Sequence, residues 1–411
     1  MDERSVVTCF LRHGTEVLLV RRSNAVGFYR EQWGGVSGYA EGTPGAAARR
    51  EIDEEVGLLE AVEFVRSADA FEMEDEDRGT RWLVHPFLFD CSSTAVDPNK
   101  EIADHEWVQP PEILDRATVP RLWDTYRAVA PTIGTATDDD EHGSAYLSVR
   151  ALEVLRDAAA DAEASGGDDL AGLAADLRAA RPSMGVVRNR INRVMADADS
   201  PGAVRERASA ACRRALAADS EAAAEAARRI GDRVLTISRS GTVLGALRQA
   251  DPETVYVAES RPKREGVGVA EDLADEVDVL LFVDAAVAHV LATEPVDAVL
   301  VGADSVLADG RVVNKVGTRP AALAADAAGV DCYAVCAKDK IVPEADVALE
   351  SGPAGEVHGS EGVEVLNPTF EVTPSRLFDG LLTEEGALST AEVAAVADEH
   401  AALAERAERS E

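Results

Sequence analysis

Residues 49–58 read RREIDEEVGL. On a helix that advances about 100° per residue, with Glu51 at 0°, Glu54 falls near roughly 300° and Glu55 near about 40°. Three carboxylates therefore crowd one side of a single turn. Like charges at this spacing cost about 0.2–0.5 kcal/mol per pair in an isolated helix. A hard divalent cation prefers clustered carboxylate oxygens and would offset that repulsion. Ile52 and Val56 lie one turn apart beside the acidic face. The spacing predicts a helix over 45–57, pinned to a sheet by these two side chains, with Gly57 allowing the exit turn.

The surrounding stretch, GGVSGYAEGTPGAAARREIDEEVGL at 34–58, resembles the Nudix box of the Nudix hydrolases. Arg50, Glu51, Ile52, Glu54, Glu55, Gly57 and Leu58 match its core, REUxEExGU with U apolar. The resemblance covers residues 1–130. It implies an α/β/α sandwich in which Glu51, Glu54 and Glu55 bind Mg²⁺ (or Mn²⁺), with Arg50 in the same catalytic motif. The substrate it implies is a nucleoside diphosphate derivative, cleaved at the diphosphate by metal-activated water. Thr43 stands where the family box has a glutamate, and the spacing from Gly38 to Arg50 is short; neither departure touches the metal-binding glutamates. Family members often add a carboxylate from a later loop. FEMEDED (71–77) and NKEIADHEW (99–107) offer candidates, Glu101 first and Glu106 second.

Short β-like runs fill the rest of this region, and HEWVQPPEILDR reads as a last strand followed by a helix with Pro110 and Pro111 near its first turn. Residues 131–144, PTIGTATDDDEHGS, are small, polar and acidic and read as a linker. Residues 145–228 are alanine-rich and helical, punctuated by SGGDD and DSPG. From 229 to 388 the pattern changes. Apolar runs at 233–237, 254–259, 277–283, 296–302 and 330–337 alternate with helical stretches, which indicates a parallel sheet covered by helices on both faces. Residues 389–411 read as an amphipathic or frayed terminal helix.

In this half, VLTISRSGTVLGAL runs from a strand through a turn into a helix, where backbone amides hold anions well. Ser238, Arg239, Ser240 and Gly241 therefore suit a phosphate. Arg261 and Lys263 follow the next strand on the same sheet edge, where ligands usually bind. Asp304 follows a later strand on that edge, and Asn314 and Lys315 begin a loop toward a helix. Arg181, with Ser183, precedes a helix and can close the pocket from the other side. RPSMGVVRNRI, VLTISRSGTVLGAL, AESRPKREG, VDAVLVGADSVLADGRVVNKVGT and NPTFEVTPSRL resemble, in order and spacing, the alpha/beta/delta-type subunits of translation initiation factor 2B. That family includes methylthioribose-1-phosphate and ribose-1,5-bisphosphate isomerases. The resemblance implies a Rossmann-like domain that binds a phosphorylated sugar or nucleotide and assembles a homodimer or higher homo-oligomer. The isomerases use a cysteine at the end of the first strand and the aspartate of the GAD motif. Asp304 fills the second role, but the cysteine position is Ser238, a poor acid or base near neutral pH. The serine argues against isomerisation, as serine-rich SRS-type sequences stand there in the initiation-factor subunits.

Composition narrows the rest. The chain has 411 residues, net charge −35, and only five lysines: 100, 263, 315, 338 and 340. An acidic, lysine-poor chain that is nonetheless 46% hydrophobic suits a very salty cytoplasm and argues against nucleic-acid binding, which needs basic surface. No apolar run approaches a membrane span, and the N-terminus lacks the pattern of a signal peptide. The five scattered cysteines form no CxxC pair, so a reduced cytoplasm without structural zinc or disulfides fits. Two further readings stay open: a regulatory, initiation-factor-like binding protein whose first domain only senses ligand, and a bifunctional enzyme with a sugar-phosphate isomerase.

Overall fold

A computed structural model describes residues 2–76, 78–139, 142–167, 169–182, 184–346, 349–359 and 362–410. Asp77, Ser183 and residues 140 and 141 of the expected linker lie outside the described residues. The chain forms two compact units: 1–132 with 156–168, and 133–155 with 169–411.

In the first unit, β1 (Asp2–His13) is the spine of an eight-stranded sheet. It pairs parallel with β7 (Thr80–Cys91), and antiparallel with β2 (Glu16–Arg22) and β4 (Val36–Tyr39). β3 (Trp33–Gly34) and β8 (Ile102–Val108) pair with β2, while β5 (Val62–Ser67) and β6 (Phe71–Asp75) pair with β7. Side chains alternate across a strand, so β1 feeds two cores. Val7, Cys9 and Leu11 pack with Ala47, Ala48, Ile52 and Val56 of α1 (Pro44–Val56). Phe10 packs with Leu122, Tyr126 and Val129 of α2 (Leu122–Val129) on the opposite face. The result is an α/β/α sandwich. Ile52 and Val56 pin α1 as their spacing predicts, and Gly57 ends it in the left-handed region at φ 65°. Pro110 and Pro111 start only a one-turn 3₁₀ helix (Pro110–Ile113), and α2 begins nine residues after it ends, at Leu122.

The second unit begins with α3 (Ile133–Thr137) and α4 (Ser144–Ser165), whose last residues count with the first unit. Then come α5 (Leu170–Ala180), α6 (Gly185–Met195) and α7 (Pro201–Ala227). Its main sheet contains β9 (Arg233–Thr236), β10 (Thr254–Ala258), β11 (Asp278–Phe282) and β12 (Ala298–Gly302). A smaller sheet contains β13 (Ser305–Leu307), β14 (Val312–Lys315), β16 (Ile341–Val342) and β17 (Phe370–Thr373). The main sheet continues with β15 (Asp331–Val335), β18 (Gly380–Thr383) and β19 (Gly386–Leu388), in the order β11-β10-β9-β12-β15-β18-β19. Every pairing in it is parallel except the last hairpin. The five apolar runs are thus five neighbouring parallel strands.

Both faces of that sheet are covered, as continuous apolar strands require. Val234, Val255, Val257 and Leu300 pack with α7, α8 (Gly241–Ala250) and α9 (Glu265–Leu273). Leu235, Tyr256, Val299 and Val301 pack with α10 (Val287–Thr293), α11 (Thr318–Ala328) and α12 (Thr390–Ser410). The terminal helix is docked through Val393, Val396 and Ala397. His400, 1% exposed, bonds to the Ile341 carbonyl at 2.7 Å. Buried Asp339 accepts from Arg190 at 3.2 Å and Arg193 at 2.9 Å, with His400 beside it. Burial alone would raise the Asp339 pKa, but these three partners hold its carboxyl well below the usual range.

Candidate functional sites

The acidic turn of α1 lies at one cavity of the first unit, about 630 Å³ in volume. Its walls include Val6, Thr8, Trp82 and Val84 of β1 and β7, the 25–29 loop, and Val119, Pro120, Leu122 and Thr125. Glu41, Arg50, Glu51, Glu54 and Glu101 also line it. Glu55 does not: it points inward from the same turn, 7% exposed, and accepts the Ser37 backbone N–H at 3.1 Å. Burial pushes its carboxyl up to about 8, against the Ser37 hydrogen bond and the Arg22 charge, with Glu51 and Glu101 adding to the rise.

Two local features place these acids. A Cβ at Gly38 would lie 2.2 Å from the Glu51 carboxylate, so glycine lets α1 sit against β4. Asn99 donates from its side chain to the Glu54 carbonyl at 3.0 Å and from its backbone to the Glu55 carbonyl at 3.0 Å. That fastens the loop carrying Glu101 to the end of α1. Glu106 is placed elsewhere, paired with Arg116 at 2.7 Å. Arg50 bridges Glu51 at 2.9 Å and the Tyr39 carbonyl at 3.1 Å.

The donors suit a hard divalent cation in kind, since all are carboxylates and Glu55 is a buried acid with no full counter-charge. Among the described residues, no three His, Cys, Asp or Glu side chains already converge on one point.

The second unit holds a cavity of about 500 Å³ at the carboxyl ends of its parallel strands. Arg181, Ser238, Arg239, Ser240, Gly241, Asp304, Asn314 and Lys315 all line it. Arg261 does not. Its side chain is exposed, and its backbone N–H is held by the Asp284 carboxylate at 2.7 Å. Lys263, two residues on, lines the cavity instead. Sequence reasoning missed Lys340 and the start of α4, both of which line this cavity. Scarcity was the available signal: three of the chain's five lysines, 263, 315 and 340, meet here. In a protein of net charge −35, that concentrates rare cations at one place.

The turn after β9 is built for close approach. Ser238 adopts the left-handed region at φ 57°, and its N–H is held by Ser260 Oγ at 2.6 Å. Ser240 caps α8 by accepting the Val243 N–H. A Cβ at Gly302 would lie 2.8 Å from Ser240 Oγ, so only glycine there lets the turn rest on β12. Asp304 lies in the connection from β12 to β13 and accepts from Ser144 Oγ at 3.0 Å. Lys315 pairs with Glu265 at 2.7 Å, and buried Lys340 donates to the Ala303 carbonyl at 2.6 Å. Cys336, at the end of β15, is fully buried and outside the cavity lining, and burial pushes its thiol up to about 12. It offers no replacement for the thiol absent at Ser238. His289, a histidine that could have served as a base for Ser238, does not line the cavity either.

Comparison with known proteins follows the same division. Residues 140–390, more than half of the chain, match the model described as the initiation factor 2 subunit family, and residues 1–129 match the NUDIX domain. A methylthioribose-1-phosphate isomerase of Stutzerimonas stutzeri is 40% identical over 166 residues, covering 36% of this chain and 45% of the relative. One from Exiguobacterium sibiricum is 32% identical over 188 residues, covering 40% of this chain and 54% of the relative. The chain thus spans about half the length of these curated relatives. The solved structure of translation initiation factor eIF-2B from Pyrococcus horikoshii is 26% identical. It covers 62% of this chain and 94% of its own, with a TM-score of 0.56. Among the described residues, no helix is long and apolar enough to cross a membrane.

Proposed function

We propose that this chain, which belongs to the initiation factor 2 subunit family and carries a NUDIX domain ahead of it, is a divalent-metal-dependent hydrolase of nucleoside diphosphate derivatives. The observation that carries the reading is the meeting of Glu51, Glu54 and Glu101 with Arg50 at one cavity, backed by buried Glu55. Glu51, Glu54, Glu55 and Glu101 are the residues that would hold Mg²⁺ or Mn²⁺. The bound ion would supply Lewis-acid polarisation of the diphosphate and a water of lowered pKa. Arg50 keeps the Glu51 carboxylate oriented, and the apolar floor of Val6 and Val84 excludes bulk water. The test is a panel of nucleoside diphosphate derivatives incubated with Mg²⁺ in high salt. Release of nucleoside monophosphate supports the reading, and an inert panel refutes it.

The second unit, in this reading, binds a phosphorylated sugar or nucleotide. The support is the convergence of Lys263, Lys315 and Lys340 with the Ser240–Gly241 helix start. A second reading, sugar-phosphate isomerisation, is favoured by the names of the curated relatives and by Asp304 in the cavity, and opposed by Ser238. Ketose formation from methylthioribose 1-phosphate or ribose 1,5-bisphosphate, lost in Asp304→Asn, would establish it. We favour a binding site that assembles as a homo-oligomer.

A further inference from the structure

The second cavity lacks a thiol at residue 238, but it contains a histidine. The segment 139–146, read from sequence as the end of a linker and the start of a helical region, runs along its wall and contributes Asp139, His142, Ser144 and Tyr146. His142 is held there by several contacts. Its Nδ1 lies 2.9 Å from Asp139 Oδ2 and 3.1 Å from Oδ1, and its backbone N–H donates to Asp139 Oδ1 at 2.9 Å. Its ring stacks on Tyr146, with 4.1 Å between centroids and 19° between planes. The Arg150 guanidinium lies over the Tyr146 ring at 4.9 Å, and Arg181 donates to the Asp139 carbonyl. Two residues along from His142, Ser144 Oγ donates to Asp304 Oδ1 at 3.0 Å, which ties the segment to the strand edge carrying that aspartate.

These contacts fix the chemistry of the ring. A carboxylate only accepts, so the proton of the neutral imidazole sits on Nδ1 and Nε2 keeps its lone pair. Nε2 has no partner among the described residues, and the side chain is half-exposed. A carboxylate that orients one ring nitrogen while the other is left to an open cavity makes a general base.

We propose that His142, oriented by Asp139, is the proton-transfer group of the second cavity, paired with Asp304, in the aldose-to-ketose isomerisation of a sugar 1-phosphate. The proposal rests on the isomerase reading above and answers the objection that Ser238 raises to it. Asp304 in its acid form protonates the ring oxygen, and the C1–O bond breaks with its electron pair on that oxygen. His142 Nε2 takes the C2 proton, and the C2–H pair becomes the C1–C2 double bond. The Asp304 carboxylate then takes the C2 hydroxyl proton, forming the carbonyl, while the double-bond pair accepts the proton from His142 at C1. Two protons leave the sugar and two return, so no oxidant, reductant or water is consumed. Lys263, Lys315 and Lys340 line the same cavity and suit the phosphate. The part that the family's isomerases give to a cysteine thus passes to a residue outside the strand-end turn.

Ribose 1,5-bisphosphate and methylthioribose 1-phosphate are incubated in deuterium oxide with the full chain, His142→Gln and Asp139→Asn, and product and recovered substrate are followed by NMR. We expect ketose from at least one of them in the wild type, with kcat lower by about 100-fold or more in His142→Gln, the scale of a lost general base, and KM unchanged. Asp139→Asn should also lower kcat at unchanged KM, and a raised KM with unchanged kcat overturns its orienting role. His142 is half-exposed, so His142→Gln should melt with the wild type. Ketose formation at the wild-type rate by a folded His142→Gln overturns the role of His142 and leaves the isomerase standing on another base. Deuterium at C2 of recovered substrate in the wild type but not in His142→Gln, without ketose, leaves His142 standing and removes the isomerase. Neither ketose nor exchange overturns both.

Discussion

The Glu51 carboxylate occupies the space that a side chain at Gly38 would fill, with only 2.2 Å between its carbon and a built Cβ. The colliding group is the end of a flexible side chain, so Gly38→Ala should fold normally and displace the carboxylate rather than the backbone. Displacing a catalytic group by an ångström can cost on the order of 100-fold in rate. We expect a melting temperature close to wild type and hydrolysis reduced by about that factor. A fully active Gly38→Ala would show that the position of Glu51 is not critical.

Glu54→Gln and Glu55→Gln should each abolish metal-dependent hydrolysis while keeping the fold. For Glu55 the pH dependence has a definite sign. Its folded pKa, about 8, lies above the ordinary 4.5, so the folded state binds the proton more tightly. Wild-type stability without metal should therefore fall as pH rises from about 4.5 to about 8, as linkage requires. Glu55→Gln keeps the Ser37 hydrogen bond and has no proton to lose. Its melting temperature, measured with chelator, should rise relative to wild type across that interval, and a flat difference would contradict the assignment.

In the second unit, Lys263→Ala and Lys315→Ala should weaken phosphate or ribose 5-phosphate binding roughly tenfold each, the scale of a lost charge-assisted contact. Arg261→Ala should leave it unchanged, because Arg261 does not line the cavity. Calorimetry on the three variants decides, and equal losses for Arg261 and Lys263 would mean that the site extends beyond the cavity described.

A fragment of residues 1–132 should be less stable than one of 1–168. Arg156 is fully buried and donates to Gln109 at 2.8 Å, the Thr15 carbonyl at 3.2 Å and the Tyr126 hydroxyl at 3.3 Å. Asp157 accepts from Tyr126 at 2.9 Å, and Asp161 accepts from Trp123 at 2.6 Å. Cutting at 132 orphans these groups at about 1–3 kcal/mol for each that stays buried. Urea unfolding of the two fragments should give a clearly higher midpoint for 1–168, and equal midpoints would contradict the contribution of residues 156–168.

Much of this architecture is legible in the amino-acid order. The helix under RREIDEEVGL follows from Ile52, Val56 and Gly57, because burial period and a left-handed exit are local properties. The parallel strands of the second unit follow from apolar runs that only a sheet covered on both faces accommodates. The strand–turn–helix at Ser238–Gly241 is likewise local. Tertiary structure alone decided which distant groups meet. Arg261 and Lys263 are two residues apart in one segment, yet only Lys263 lines the cavity, while Asp284 from another segment holds the backbone N–H groups of Ser260 and Arg261. Ser144 reaches Asp304 across 160 positions, and Trp82 meets Phe28 across a sheet and a loop. Residues 156–168 join the first unit through Arg156, a cation of the alanine-rich helical region that is fully buried. Periodicity records which face of an element is buried. It carries no information about the partner that buries it, which is set by how the elements pack.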